Sequence, residues 1–360
     1  MKIGSANKIQ DINANKGGRA YYENVDLFLF KYLKGFKPLR SPNFDIFKIF
    51  KSNSVDKIPE VVLNTYKLKG IEFGNWVNQP RRLDFCLNLF ISLYDLNKIV
   101  KFNNNIGINK NVGVAYGARG KKGALAHYEP YTNVINLSRD RRVDKLFVDF
   151  FGEPVVQAKK NFSLYTKYKN QSRKENSGFG SFAHEYGHAI DYIIADKYLG
   201  RRKALSGGSV TLTSPNNPNR ALTTYDSAFE LAYDNKGLFI DEAFYDCLTP
   251  LLFDNSGKPT GYYKRMYEYA TKRKNTYWIR HNEIWARVFE TFVAYKLSKQ
   301  GIKNYFLTGE GKGKYKDELK TNFGKVYPTY NELIKVEKKN RSVFGISIKK
   351  NKLKIFSLIK

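Results

Sequence analysis

Residues 184–188 read His-Glu-Tyr-Gly-His, and no other stretch constrains the fold as tightly. Two imidazoles four positions apart can share a metal ion only on an α-helix, where i and i+4 lie one turn apart on the same face. The surrounding sequence agrees. Gly178-Phe179-Gly180 is loop-like, Ser181 can cap the first turn, and a periodic apolar run continues to Tyr198. Glu185 stands beside the imidazoles without ligating, placed to take a proton from an attacking water. Random order of this composition would give such a pattern on the order of 0.002 times. Chance therefore does not explain it, and zinc is the ion the pattern implies.

A catalytic zinc site keeps three protein ligands and one open position. A His or Asp six residues after His188 would make the long metzincin pattern, but Ile194 stands there. Asp191 shares the helical face of His184 and His188. It is a candidate ligand, although carboxylates so placed more often orient an imidazole or cap a neighbour. A stronger candidate region is Asn282 to Phe292. There Glu283, Arg287 and Glu290 fall on one helical face, while Ile284, Trp285, Val288 and Phe292 point away from it. An ordinary Glu–Arg–Glu ladder on a solvated face would share this spacing. Spacing alone does not choose between Glu283 and Glu290.

Composition sets the frame around these motifs. The hydrophobic content of 42% and the aromatic content of 15% supply a core for 360 residues, which excludes a chain disordered throughout. No run of about 18 apolar residues exists, so no membrane span is expected, and the N-terminus lacks the apolar region of a secretory signal. Cys86 and Cys247 are far apart and outside any CxxC, as expected of two buried reduced thiols. The net charge of +29 can attract polyanions, nucleic acid above all. It concentrates in residues 296–360, which hold 17 Lys/Arg against 5 Asp/Glu. A lysine-rich solvated surface would give the same count.

Along the chain, residues 1–66 read as a helical N-terminal extension, with helical segments around Asp26–Phe36 and Phe44–Phe50. Leu83–Val100 reads as an amphipathic helix presenting Leu83, Leu87, Phe90, Leu93 and Tyr94. Val112–Gly120, Gly123–Pro130 and Asn133–Arg139 are short alternating segments divided by turn residues, which predicts three strands. Leu146–Val156 is a second β-rich or irregular patch. Lys203–Thr224, rich in Ser, Thr, Asn, Pro and Gly, reads as an exposed loop that could lid a cleft. Ser227–Leu231, Glu242–Leu248, Gly261–Arg273 and Glu283–Leu297 are predicted helices. The fold class expected is α+β, with a central domain over 67–300 and a basic C-terminal extension over 301–360.

His184–Asp191, HEYGHAID, followed by Asn282–Glu290, NEIWARVFE, resembles the large polyvalent-protein-associated zinc-peptidase-like domain of bacteriophages and mobile elements. It is more distantly similar to the anthrax lethal factor catalytic domain. GIEFGNWV (Gly70–Val77), GVAYGARG (Gly113–Gly120), and AHYEP with NVINLSR (Ala126–Arg139) match in the same order. The resemblance implies a zincin-like fold and gluzincin chemistry, with His184, His188 and Glu283 holding Zn2+ and Glu185 as general base. Arg287 and Glu290, like Asp191, then support the ligands. It also implies an oxyanion donor just before the third-ligand helix, where Tyr277 and His281 are the candidates and Tyr277 is preferred. His127 and Tyr128, in a predicted strand, are candidates to line a substrate cleft. A protein or peptide substrate, and a setting in a bacterial host's cytoplasm or a phage virion, follow from the same resemblance. The alternative is a nucleic-acid-associated or structural virion protein whose domain binds zinc without turnover.

Overall fold

The computed structural model describes residues 38–42, 57–74, 77, 79–119, 124–138, 178–198, 204–206, 213–214, 217–221, 248, 250–256, 258–309 and 326–339. The expected elements at Asp26–Phe36, Phe44–Phe50, Leu146–Val156, Ser227–Leu231 and most of Glu242–Leu248 lie outside these residues, as does Cys247. Two compact units divide the chain, Met1–Phe182 with Leu297–Gly311 and Ala183–Lys296 with Lys312–Lys360. The described elements mix helices with small sheets, in keeping with an α+β chain. No described helix is long and apolar enough to cross a membrane.

The first unit contains β1 (Arg40–Ser41), α1 (Ile58–Tyr66), β2 (Gly70–Phe73), α2 (Gln79–Val100), β3 (Gly113–Tyr116), β4 (Ala126–Glu129) and β5 (Val134–Leu137). Three of these strands match the segments expected from alternation. They form a four-stranded sheet of order β2-β3-β5-β4, parallel except for the antiparallel pair β4 and β5. Ile71, Val114 and Ile135 stand in register on one face, all buried. On the other face Glu72, Ala115, Asn136 and His127 stand in register.

Arg119 is bolted across that second face. Its Nε lies 2.9 Å from Glu72 and its Nη1 2.8 Å from Glu129. Its backbone N–H and carbonyl meet the Asn136 side chain at 3.2 and 2.6 Å. The polar residues of four sequence motifs thus converge on one cluster. His127 belongs to it, with Nε2 3.2 Å from Glu129, and the Tyr128 hydroxyl donates to Asn133 at 2.6 Å.

α2 departs from the amphipathic reading. It begins at Gln79, and from Leu83 to Leu93 every residue is buried. Asp84, Asn88, Ser92 and Asp95 break the apolar stripe in the sequence, yet they form a buried hydrogen-bonded seam. Asn88 accepts from the Leu39 N–H at 2.8 Å. Ser92 donates to Asn304 at 3.0 Å, and Asn304 donates to Asp95 at 2.9 Å. Arg40 closes the seam on Asp95 at 2.9 Å. This holds the β1–β8 pair, in which Arg40 faces Asn304 of β8 (Lys303–Asn304), against the helix. Buried Cys86 on the same helix is a free thiol.

In the second unit, α3 (Phe182–Ile193) begins directly after Ser181 and passes into a π-helical turn at Ile194–Tyr198, so the helix reaches the expected residue with its last turn widened. The Lys203–Thr224 region is not wholly an exposed loop. Ala204, Leu205 and Ser206 are buried, and β6 (Thr213–Ser214) pairs antiparallel with β7 (Asn217–Ala221). The reason is local. Asp191 accepts both the N–H and the hydroxyl of Ser206, at 2.8 and 2.5 Å, and draws that segment inward. Two helices follow, α4 (Gly261–Lys272) and α5 (His281–Ser298), and then α6 (Tyr330–Lys339). Thr260 caps α4 by accepting from the Tyr263 N–H at 3.3 Å. Thr329 and Glu332 form a reciprocal cap on α6, at 2.9 and 3.2 Å.

The Arg119 bolt is testable. The hydrogen bond between Glu129 and His127, against burial and with help from Thr132 and Arg119, holds the Glu129 carboxyl down to about 2. The contribution of Glu129 is therefore full above the ordinary value of 4.5 and lost as pH falls toward 2. Arg119→Met leaves Glu72 without its ion-pair partner and Glu129 with only His127 and Thr132, and should lower stability at neutral pH by roughly 3 kcal/mol, read by thermal denaturation. An unchanged melting temperature would show that the cluster is not a stabilising ion network.

Candidate functional site

The centre of the second unit depends on how closely α3 and α5 approach. A Cβ built at Gly187 would lie 3.1 Å from the Ala286 Cα and 3.3 Å from the Phe289 Cβ, so the helices meet where the side chain is missing. Trp285 fixes the crossing by donating its Nε1–H to the Gly187 carbonyl at 2.9 Å. Buried Tyr186 packs against Phe289 with ring centroids 6.1 Å apart.

This contact brings His184 and His188 of α3 up to Glu283 in the first turn of α5. His184 Nε2 lies 3.4 Å from Glu283 Oε2, and His188 Nε2 lies 3.5 Å from Glu283 Oε1. All three side chains offer ligand atoms within 4.8 Å of one another, and the group could hold a metal ion. The separations are long for hydrogen bonds. They suit a shared tetrahedral ion with bonds of about 2.0–2.2 Å, which sets its ligand atoms about 3.3–3.6 Å apart. Glu283 Oε2 is buried and no hydrogen bond reaches it. A buried acceptor without a donor is costly, and a cation would satisfy it. The residues fit a metal.

The electrostatics point the same way. Burial opposes charge on His184, but Glu283 and Glu290, with the charge of Glu185, outweigh it and hold the imidazole up at about 10. Burial pushes His188 down to about 4. Burial also opposes charge on Glu283, yet the two histidines hold its carboxyl far below the usual range. These carboxylates make a pocket that could hold a cation.

Other side chains surround the group. Glu290, fully buried, sets Oε2 3.5 Å from His184 Nδ1, and the same oxygen accepts from the Tyr327 hydroxyl at 2.8 Å. Tyr277 sits in a 3-10 turn at Thr276–Ile279, opened by Asn275 accepting the Tyr277 N–H at 2.9 Å. Burial, then the charge of Glu283, raises the Tyr277 hydroxyl far above its ordinary value. Arg287 locks that turn to α5 by donating to the Trp278 carbonyl, and contacts Met266 Sδ at 3.8 Å. Asp191 and His281 meet elsewhere in the unit. Both carboxylate oxygens of Asp191 are taken by Ser206, whose carbonyl lies 3.1 Å from His281 Nδ1. Burial pushes His281 down to about 4. His127 and Tyr128 belong to the sheet of the first unit, partnered as described above.

Residues 269–349 match the family described as Large polyvalent protein-associated domain 1. The resemblance to a large polyvalent-protein-associated domain therefore holds over that segment, which carries Tyr277, Glu283, Arg287, Glu290 and Tyr327. No curated protein and no solved structure matches the chain. Tyr327 and Ser206 were not among the residues expected from the sequence. The signal for Tyr327 was absent because its partner lies 37 residues away in another helix.

Gly187→Val should force α3 and α5 apart, lowering stability by about 1–3 kcal/mol and weakening divalent-metal uptake together. Unfolding and metal titration of the variant measure both. Normal metal affinity in this variant would mean that the helix contact does not set the ligand spacing.

Proposed function

We propose that the chain is a gluzincin-type zinc metallopeptidase with a zincin-like catalytic body, encoded by a phage or mobile element. It would hydrolyse peptide bonds of a host or phage protein in a bacterial cytoplasm or a virion. The single observation carrying this reading is the group of His184, His188 and Glu283 at tetrahedral ligand spacing, with Glu185 next to the first ligand. The match of 269–349 to a large polyvalent-protein-associated domain supports the phage or mobile-element setting.

Zinc, when bound, supplies Lewis acidity that polarises a substrate carbonyl and makes water a better acid. The residues supply the rest. Glu185 takes a proton from the attacking water and returns it to the departing amine as the C–N bond breaks. Tyr277 keeps its hydroxyl proton through the neutral range, because burial and the Glu283 charge disfavour the phenolate. It is thus a donor for the oxyanion that develops on the carbonyl. Arg287 steadies the turn that carries it.

Two substitutions separate binding from chemistry. Glu185→Gln should keep one zinc per chain and lose about 10²–10⁴-fold in cleavage. Glu283→Ala should lose the zinc. Zinc is read by elemental analysis, and cleavage by new N-termini in a bacterial lysate. Full cleavage by Glu185→Gln would overturn the peptidase reading.

The charge of +29 favours a second property, polyanion binding. Residues 340–360 carry six Lys/Arg and no acid, and they follow α6. Truncation after Lys339 should weaken duplex DNA binding and flatten its dependence on salt. An unchanged salt slope would remove this tail as a binding element.

A further inference from the structure

We propose that Tyr327, from the segment leading into α6, is a positioning residue of the metal centre, acting on His184 through Glu290. The inference rests on the metal-site reading above and adds a residue outside the two ligand helices.

The contacts run in one line. The Tyr327 hydroxyl donates to Glu290 Oε2 at 2.8 Å, and that same oxygen stands 3.5 Å from His184 Nδ1. The other ring nitrogen, Nε2, faces Glu283. No hydrogen bond forms at that separation, but a carboxylate facing Nδ1 at ion-pair distance favours the N–H on that side and leaves the Nε2 lone pair for a metal. Glu290 can do this only if its own oxygen is aimed. It is fully buried, and the Tyr327 hydroxyl donates to the oxygen that faces His184.

Tyr327 is held firmly enough to act this way. Its ring is buried, and the Val326 carbonyl beside it accepts from the Tyr262 hydroxyl of α4 at 3.1 Å. α6 is tied to α4 by Arg265, whose two Nη atoms lie 2.7 and 2.9 Å from the Glu332 carboxylate. Tyr330 packs on Tyr295 of α5, centroids 5.6 Å apart. These ties fix the hydroxyl over Glu290 from three directions. A stretch that reads in the sequence as part of a basic extension thereby becomes structure that aims a ligand.

The test compares zinc affinity by chelator competition in the full-length wild type, Tyr327→Phe, Glu290→Gln and the double variant, alongside metal-free melting temperatures. The wild type should bind one zinc, and Tyr327→Phe should bind it about tenfold more weakly with little change in metal-free melting temperature. Glu290→Gln should lose at least as much, and the double variant no more than Glu290→Gln alone. In the cobalt-substituted protein, Tyr327→Phe should alter the visible ligand-field spectrum. Wild-type affinity in Tyr327→Phe, or losses that simply add in the double variant, would overturn the role of Tyr327. A wild type that takes up no zinc would overturn the metal site itself.

Discussion

The grouping of His184, His188 and Glu283 follows from the approach of α3 and α5 at Gly187. A metal centre built from two helices needs its ligands held to within a few tenths of an ångström, and side-chain packing between the helices sets that distance. With ordinary side chains the axes stay about 8–10 Å apart. Gly187 lets Ala286 and Phe289 close in, and the Trp285 hydrogen bond to the Gly187 carbonyl fixes the crossing. The glycine inside the His-Glu-Tyr-Gly-His motif is therefore a packing residue that sets where His184 and His188 stand against α5.

The same closeness creates an electrostatic demand. Glu185, Glu283 and Glu290 are buried around two histidines, with Arg287 as the nearby fixed cation. Buried carboxylates are tolerated when they are paired, hydrogen-bonded or on a metal. Arg287 sets its Nη2 on the Trp278 carbonyl and Met266 Sδ, steadying the turn that carries Tyr277. Compensation at Glu283 comes from the two histidines and the charge of Arg287, and a cation could complete it. Glu290 is compensated differently, by the Tyr327 hydroxyl, which keeps it on the outer side of His184.

Part of this was legible in the sequence because it is periodic. The i, i+4 histidines, the α5 stripe and the three strands all repeat at intervals that local geometry dictates. Glu283 was separated from Glu290 only by resemblance, since both lie on one helical face. Their distinct positions appear only when α3 crosses at Gly187. The buried seam of Asp84, Asn88, Ser92 and Asp95 was not legible in the amphipathic reading, because a polar stripe carries no mark of whether water or another segment meets it. Arg119 and Tyr327 were illegible for a related reason. Their partners come from strand register and from segments distant in the chain, neither of which is written locally. The Lys203–Thr224 reading failed at Ser206, where one carboxylate on another helix draws polar residues inward.

The most direct test of the metal centre is X-ray absorption at the zinc edge on the purified, zinc-loaded full-length chain. The expected shell is four light donors at about 2.0–2.1 Å, two of them with the outer scattering of imidazole. That signature should fall away in His184→Ala and His188→Ala. Sulfur scattering at about 2.3 Å, or a shell unchanged by those substitutions, would contradict the assignment of His184, His188 and Glu283 as the metal's ligands.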